Sequence, residues 1–155
     1  MRNFLTVALA LGLALPAAGC FDELTGPYDG PTLVEFAQGP PDQVLGVYGR
    51  RVADVSATIT LTVNLIGPQQ SSPVTVGVTT EGSTAVEGTN FSFPNGSDVT
   101  IPANSSFGEL TINVLDANIT PGESVNLNLE LTQSSDGSIQ GADNLDDFTI
   151  RIIGT

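Results

Sequence analysis

The chain has no histidine, no tryptophan and no lysine, and it has one cysteine in 155 residues. Each gap removes a class of chemistry. Without histidine there is no Ser-His-Asp or Cys-His catalytic couple, and no zinc site of the usual His/Cys kind. One cysteine forbids an intramolecular disulfide even in an oxidising compartment. With no tryptophan and only two tyrosines, a stacking platform for sugars or bases is poor. Four arginines face 17 acids, for a formal net charge of −13. That balance argues against nucleic acid as a partner, because backbone binding needs a basic footprint. It also sets the folded part against an anionic membrane surface.

What remains is enough to fold. The composition is 40% hydrophobic and only 14% charged, so the chain can bury a core and is not a disordered acidic tail. The length suggests one domain with a tail.

The cysteine sits in a telling place. Met1-Arg2-Asn3 carries one positive charge, and Phe4–Leu15 is an apolar run. The run is too short to span a bilayer, which needs about 20 residues, but has the length of a signal-peptide core. Pro16 breaks a helix, Ala17-Ala18-Gly19 are small, and Cys20 follows. This arrangement resembles a bacterial lipoprotein signal, with Ala17 at the position where leucine is usual. The resemblance implies cleavage before Cys20, thioether attachment of a diacylglyceryl group to its thiol, and acylation of the new N-terminus. Phe21, rather than Asp, after the cysteine is similar to signals that release lipoproteins to the outer membrane. Asp22-Glu23 resembles the acidic signal that sends some of them to the cell surface. The expected location is therefore the bacterial outer membrane, on its periplasmic face or at the cell surface.

Beyond the cysteine the chain changes character. Residues 20–49 hold Pro27, Pro31, Pro40 and Pro41 with five glycines, a composition that favours extended and turn conformations. They read as a tether, with Leu33–Phe36 a candidate first strand and Val44–Tyr48 its continuation. From Ser56 the period is two: Ala57, Ile59, Leu61, Val63 and Leu65 alternate with Thr58, Thr60, Thr62 and Asn64. The pattern returns at Val74–Val78, Val99–Ile101, Leu110–Val114, Val125–Leu131 and Phe148–Ile152, separated by Gly67-Pro68, Asn95-Gly96 and Pro121-Gly122. Threonine and valine dominate, as on pleated half-buried surfaces. With Leu33–Phe36 these make seven segments and predict an all-β chain: a single immunoglobulin-like antiparallel β-sandwich of about seven strands after a cleaved signal at 1–19, its possible first strand in the tether at 20–49 and the rest in the sandwich domain at 50–155.

The runs "PVTVGVTTEGSTAVEGTNFSF" and "VTIPANSSFGELTINVLDANITPGESVNLNLEL" resemble the Calx-beta domain over roughly Arg51–Ile153. That family often binds calcium at one end of its sandwich through acids on the AB, CD and EF loops, and calcium needs six to eight oxygens. The resemblance makes Glu81, Asp116 and Glu123 the candidate calcium ligands, with calcium the one candidate cofactor. Asn90 and Ala117 stand where the family has aspartates, and "EGSTA" is one residue longer than the family's loop. In a seven-strand sandwich these loops share an end with Asp54, Glu87, Arg50 and Arg51. The guanidiniums offer an alternative to a metal for neutralising carboxylates.

At the opposite end, the 14-residue stretch "SSDGSIQGADNLDD" carries Asp136, Asp143, Asp146 and Asp147. It lacks the EF-hand spacing. At that length it reads as a mobile loop or as a loop for partner contacts. Paired carboxylates alone do not make a glycosidase, and acids on loops of a small sandwich leave little room for a cleft, so no enzyme activity is expected. The expected function is a non-catalytic, lipid-anchored envelope module for adhesion, assembly or structural display. The alternatives are a small ligand- or glycan-binding lipoprotein serving an uptake system, and a calcium-binding structural domain. Expected partners are the membrane through the lipid, an unidentified protein or glycan, and, through an open edge strand, a second copy.

Overall fold

A computed structural model of the chain describes residues 28–37, 58–115 and 119–154, and the backbone course of 50–54. Cys20, the signal and most of the tether, including Val44–Tyr48, lie outside the described residues, as does Asp116. All regular structure among the described residues is strand. In chain order the strands are β1 (Leu33–Phe36), β2 (Arg50–Asp54), β3 (Thr58–Ile66), β4 (Val74–Thr79), β5 (Phe91–Ser92), β6 (Val99–Ile101), β7 (Phe107–Val114), β8 (Ser124–Ser134), β9 (Gln140–Gly141) and β10 (Asp147–Ile153). They form two five-stranded sheets, ordered β5-β7-β3-β1-β9 and β2-β10-β8-β4-β6.

The alternating residues explain the layers. In β3 the pleat sends Ile59, Leu61, Val63 and Leu65 inward and the threonines outward. β7 adds Leu110, Ile112 and Val114 to the same inner face. The second sheet answers with Leu127, Leu129 and Leu131 of β8 and Phe148, Ile150 and Ile152 of β10. All belong to one buried cluster. Phe36 of β1 reaches Phe148 across the layer, with ring centroids 5.7 Å apart. Most ladder residues on the outer faces are polar, as in the Thr58–Asn113 hydrogen bond of 3.1 Å.

Two expectations need correction. There are more than seven strands: the seven periodic segments are present, and β2, β5 and β9 are added. β5 and β9 have two residues each, too few to show a period. The sandwich is also not wholly antiparallel, since β1 pairs β9 and β2 pairs β10 in parallel. Periodicity reports which face of a strand is buried, not which neighbour it meets, so strand direction was not legible. β1 and β2 also belong to different sheets. The first strand is thus built into the core, with Val34 and Phe36 fully buried, rather than being the last part of a spacer.

One irregularity shapes a loop. The β4–β8 register shifts between Val76↔Ser134 and Val78↔Leu131, which places one extra residue in β8. The shift occurs opposite Gly77, where a Cβ would stand 2.7 Å from the Thr132 hydroxyl. That hydroxyl donates to the Gly77 carbonyl at 3.1 Å. The bulge changes the phase of β8, so Ser134 points inward and is buried.

Registers define two ends. The entry end holds Tyr28, Leu33, the 67–73 and 102–106 loops and the turn after Ser134. The far end holds the 80–90 loop, Leu115, the 119–123 turn and Gly154. Replacing Phe36 with alanine is expected to lower the unfolding free energy by about 3–5 kcal/mol, the usual cost of emptying a phenylalanine site in a core. Urea unfolding measures it, and a loss below about 1 kcal/mol means that β1 is peripheral.

Candidate functional site

The far end carries the residues nominated for calcium. The chain leaves β4 at Thr79 and turns at Thr80–Ser83, closed by Ser83 N–H donating to the Thr80 carbonyl at 3.2 Å. Glu81 sits at the tip of that turn, exposed. Glu123 closes a second turn, its N–H donating to the Thr120 carbonyl at 2.8 Å, with an exposed side chain. The Glu123 carbonyl accepts from Gly154 N–H at 3.0 Å, which ties the last described residue to this turn. Glu87, on the same end, is exposed as well. Among the described residues no three acids gather as a metal site needs. The side chains of Arg50, Arg51 and Asp54 lie outside the description, so the arginine alternative has no geometry to weigh.

The "EGSTA" segment has instead a structural role that sequence reading missed. Ser83 Oγ donates to the Asn128 carbonyl at 3.1 Å and accepts from Asn128 N–H at 2.9 Å. Thr84 Oγ1 accepts from Asn126 N–H at 2.8 Å. The N–H groups of Thr84 and Ala85 both donate to the Asn126 carbonyl, at 2.9 and 3.0 Å. Asn128 Nδ2 returns a bond of 2.9 Å to the Gly82 carbonyl. Gly82–Ala85 therefore continues beside β8 where β4 stops, using hydroxyls in place of a strand ladder, and Ala85 enters the core. The signal was present as adjacent Ser and Thr, which bond backbone groups outside regular structure.

Asn90, where the resemblance has aspartate, is buried. Its Oδ1 accepts from Val86 N–H at 2.9 Å, its N–H donates to the Val86 carbonyl at 2.8 Å, and its carbonyl accepts from Leu115 N–H at 2.9 Å. The side-chain amide thus closes the 86–90 turn, and the backbone carbonyl ties it to the residue after β7.

The acidic stretch at the opposite end is not one long loop. It divides into a tight turn, β9 and a second turn, and Ile139 and Ala142 are buried. Asp136 Oδ1 accepts from the Ser134 hydroxyl at 2.6 Å, the Ser138 hydroxyl at 2.7 Å and Ser138 N–H at 3.0 Å. These bonds, that from Ser134 first, lower its pKa from 3.8 to about 2. Ser134 Oγ also accepts from Ile139 N–H at 3.0 Å. The turn is thus organised by the serine that the bulge aims inward. Asp143 and Asp147 are exposed and Asp146 is half-buried. The Asp146 carbonyl accepts from Leu131 N–H at 2.8 Å, and the Leu145 carbonyl from Phe36 N–H at 2.9 Å. The four aspartates are spread along this stretch, and the backbone of Ala142, Leu145 and Asp146 stitches β1 to β8.

No family model matches the chain, and no curated protein matches it. Among solved structures, it is similar to an EndoBT-3987 from Bacteroides thetaiotamicron crystallised with a Man5GlcNAc product, at TM-score 0.50 and 10% identity. It is also similar to the E. coli chaperone DraB, at TM-score 0.45 and 12% identity. The match covers 68% of this chain and 28% of the EndoBT-3987 chain, and 81% of this chain and 56% of DraB. At such identities the likeness concerns the fold alone.

Ser83→Ala is expected to cost about 1–3 kcal/mol by leaving the half-buried Asn128 backbone without its hydroxyl partner, measurable by urea unfolding. Asp136 gives a pH dependence. Its pKa is depressed in the folded state, so its contribution is full above pH ~4 and is lost as pH falls toward about 2. Asp136→Asn should flatten that part of the curve of thermal midpoint against pH. An unchanged curve means that the three hydrogen bonds do not hold in solution.

Proposed function

We propose that the protein is a lipid-anchored module of the bacterial cell envelope that displays a non-catalytic β-sandwich for adhesion or assembly. The observation that carries this reading is the position of the one cysteine: directly after an apolar run, a proline and three small residues, at Cys20. A thiol there has a purpose in thioether chemistry and none in an intramolecular disulfide. The anchor's several acyl chains, at about 0.8 kcal/mol per buried methylene, hold durably. The fold suits the role. Its two sheets close on one apolar cluster without a disulfide, and Glu81 and Glu123 lie exposed on separate turns.

The closed all-β core, the Calx-beta resemblance and the acidic surface are consistent with an immunoglobulin-like display domain that meets its partners through loops or edges. Cys20→Ser should move the protein from the membrane to the soluble fraction and abolish incorporation of labelled fatty acid, with the thermal midpoint of the domain unchanged. Retention in the membrane fraction with no lipid label in the parent chain defeats the reading.

A further inference from the structure

We infer that the entry end of the sandwich is a membrane-contact surface, on which Tyr28 and Phe107 rest against the uncharged lipid interface. The inference builds on the anchor at Cys20 proposed above, and it concerns which end of the domain faces the bilayer.

Three large apolar side chains are exposed among the described residues: Tyr28 at 48%, Phe107 at 53% and Val86 at 58%. The two aromatics are both at the entry end, and the valine is at the far end. Phe107 lies in the outward phase of β7, opposite Asn64 of β3. Next along that face are Ile66 and its cross-strand partner Leu33, both half-buried. Tyr28 is held in place, since its hydroxyl donates to the Pro31 carbonyl at 2.6 Å. Its ring covers Gly67, where a Cβ would lie 3.1 Å from the ring edge. The result is an apolar rim of Tyr28, Leu33, Ile66 and Phe107 around the point where the chain arrives. An aromatic ring with a polar tip suits the headgroup level of a bilayer.

Lengths decide the posture. Tyr28 follows Cys20 by eight residues, which reach at most about 28 Å when fully extended. β8 alone, at 11 residues, spans roughly 36 Å between the ends. A domain standing on its far end would need the tether to cover that whole length, and the tether is too short. The anchored domain either stands on its entry end or lies on a side, and the outer faces offered by a side are threonine- and asparagine-rich. The contact needs no basic residue. Of the acids around this surface, Asp136 has its carboxylate taken by three hydrogen bonds, Glu35 shares the cross-strand row of Phe107 and accepts from Asn64 Nδ2 at 3.4 Å, and Asp29 and Glu109 flank the rim. With a chain charge of −13, the surface that fits is zwitterionic rather than anionic.

The test uses two peculiarities of the sequence. Because there is no native tryptophan, an introduced one reports alone. Because Cys20 is the only cysteine, the chain from Cys20 onward, which contains every described strand, can be coupled through that thiol to a maleimide lipid in phosphatidylcholine vesicles. Coupling supplies the anchor chemically, so the outcome does not depend on lipidation in the cell, which the Cys20→Ser fractionation tests separately. Spin-labelled headgroup lipid is then the quencher. Phe107→Trp is expected to lose most of its fluorescence, and Val86→Trp and Thr60→Trp are expected to keep theirs. Equal quenching of Phe107→Trp and Val86→Trp, quenching of Thr60→Trp alone, or no quenching of Phe107→Trp on coupled vesicles each overturns the proposal.

Discussion

Phe36 from the first strand and Phe148 from the last meet inside the sandwich, and the apolar layer around them is the constraint on which the molecule depends. With one cysteine there is no covalent brace, so the two sheets are held by packing and ladder hydrogen bonds. A domain of about 100 residues can bury enough surface for that, provided that nearly every inward position is filled. β3, β7 and β10 meet the condition with unbroken alternation, and β8 meets it as far as the bulge. Gly108 of β7 is an instructive exception. The Thr100 carbonyl of β6 comes to 2.7 Å from where its Cβ would be, so the absence of a side chain there lets the two sheets meet at a corner.

The same constraint shapes the ends. Backbone groups released where strands stop must find partners, and here short hydroxyl and amide side chains supply them. Ser83 and Thr84 extend the edge of β4 along β8, Asn90 clamps the turn before β5, and Ser134 with Ser138 surrounds Asp136. The loop residues that resemble a calcium-binding family are largely engaged in this local work. In the 86–90 turn, an amide oxygen supplies the acceptor at the position where the family has a carboxylate.

The seven periodic strands were legible because burial on one face leaves a period of two in the residues. Phe107 was legible by the same rule and was overlooked: with Leu110, Ile112 and Val114 inward, position 107 must face out. β5 and β9 are too short to show a period, and β9 divides a stretch that reads as one acidic loop. The bulge opposite Gly77 left only a faint mark, the polar Gln133 in phase with the inward Leu127, Leu129 and Leu131. The candidate metal residues were nominated one at a time by spacing, and spacing along a chain does not report whether carboxylates converge.

By itself the sequence determined the class of fold, the inner face of each long strand, the catalytic chemistries that a chain without histidine must do without, and the one place where a thiol stands. These follow from composition and from local periodicity, which each residue carries with it. Only the tertiary structure decided that the first strand belongs to the core and β2 to the other sheet, that two strand pairs run parallel, and that no three of the described acids gather. It alone also decided that Tyr28 and Phe107 share the end at which the chain enters. These are matters of which distant segments become neighbours, and they are settled by the packing of two whole sheets against each other.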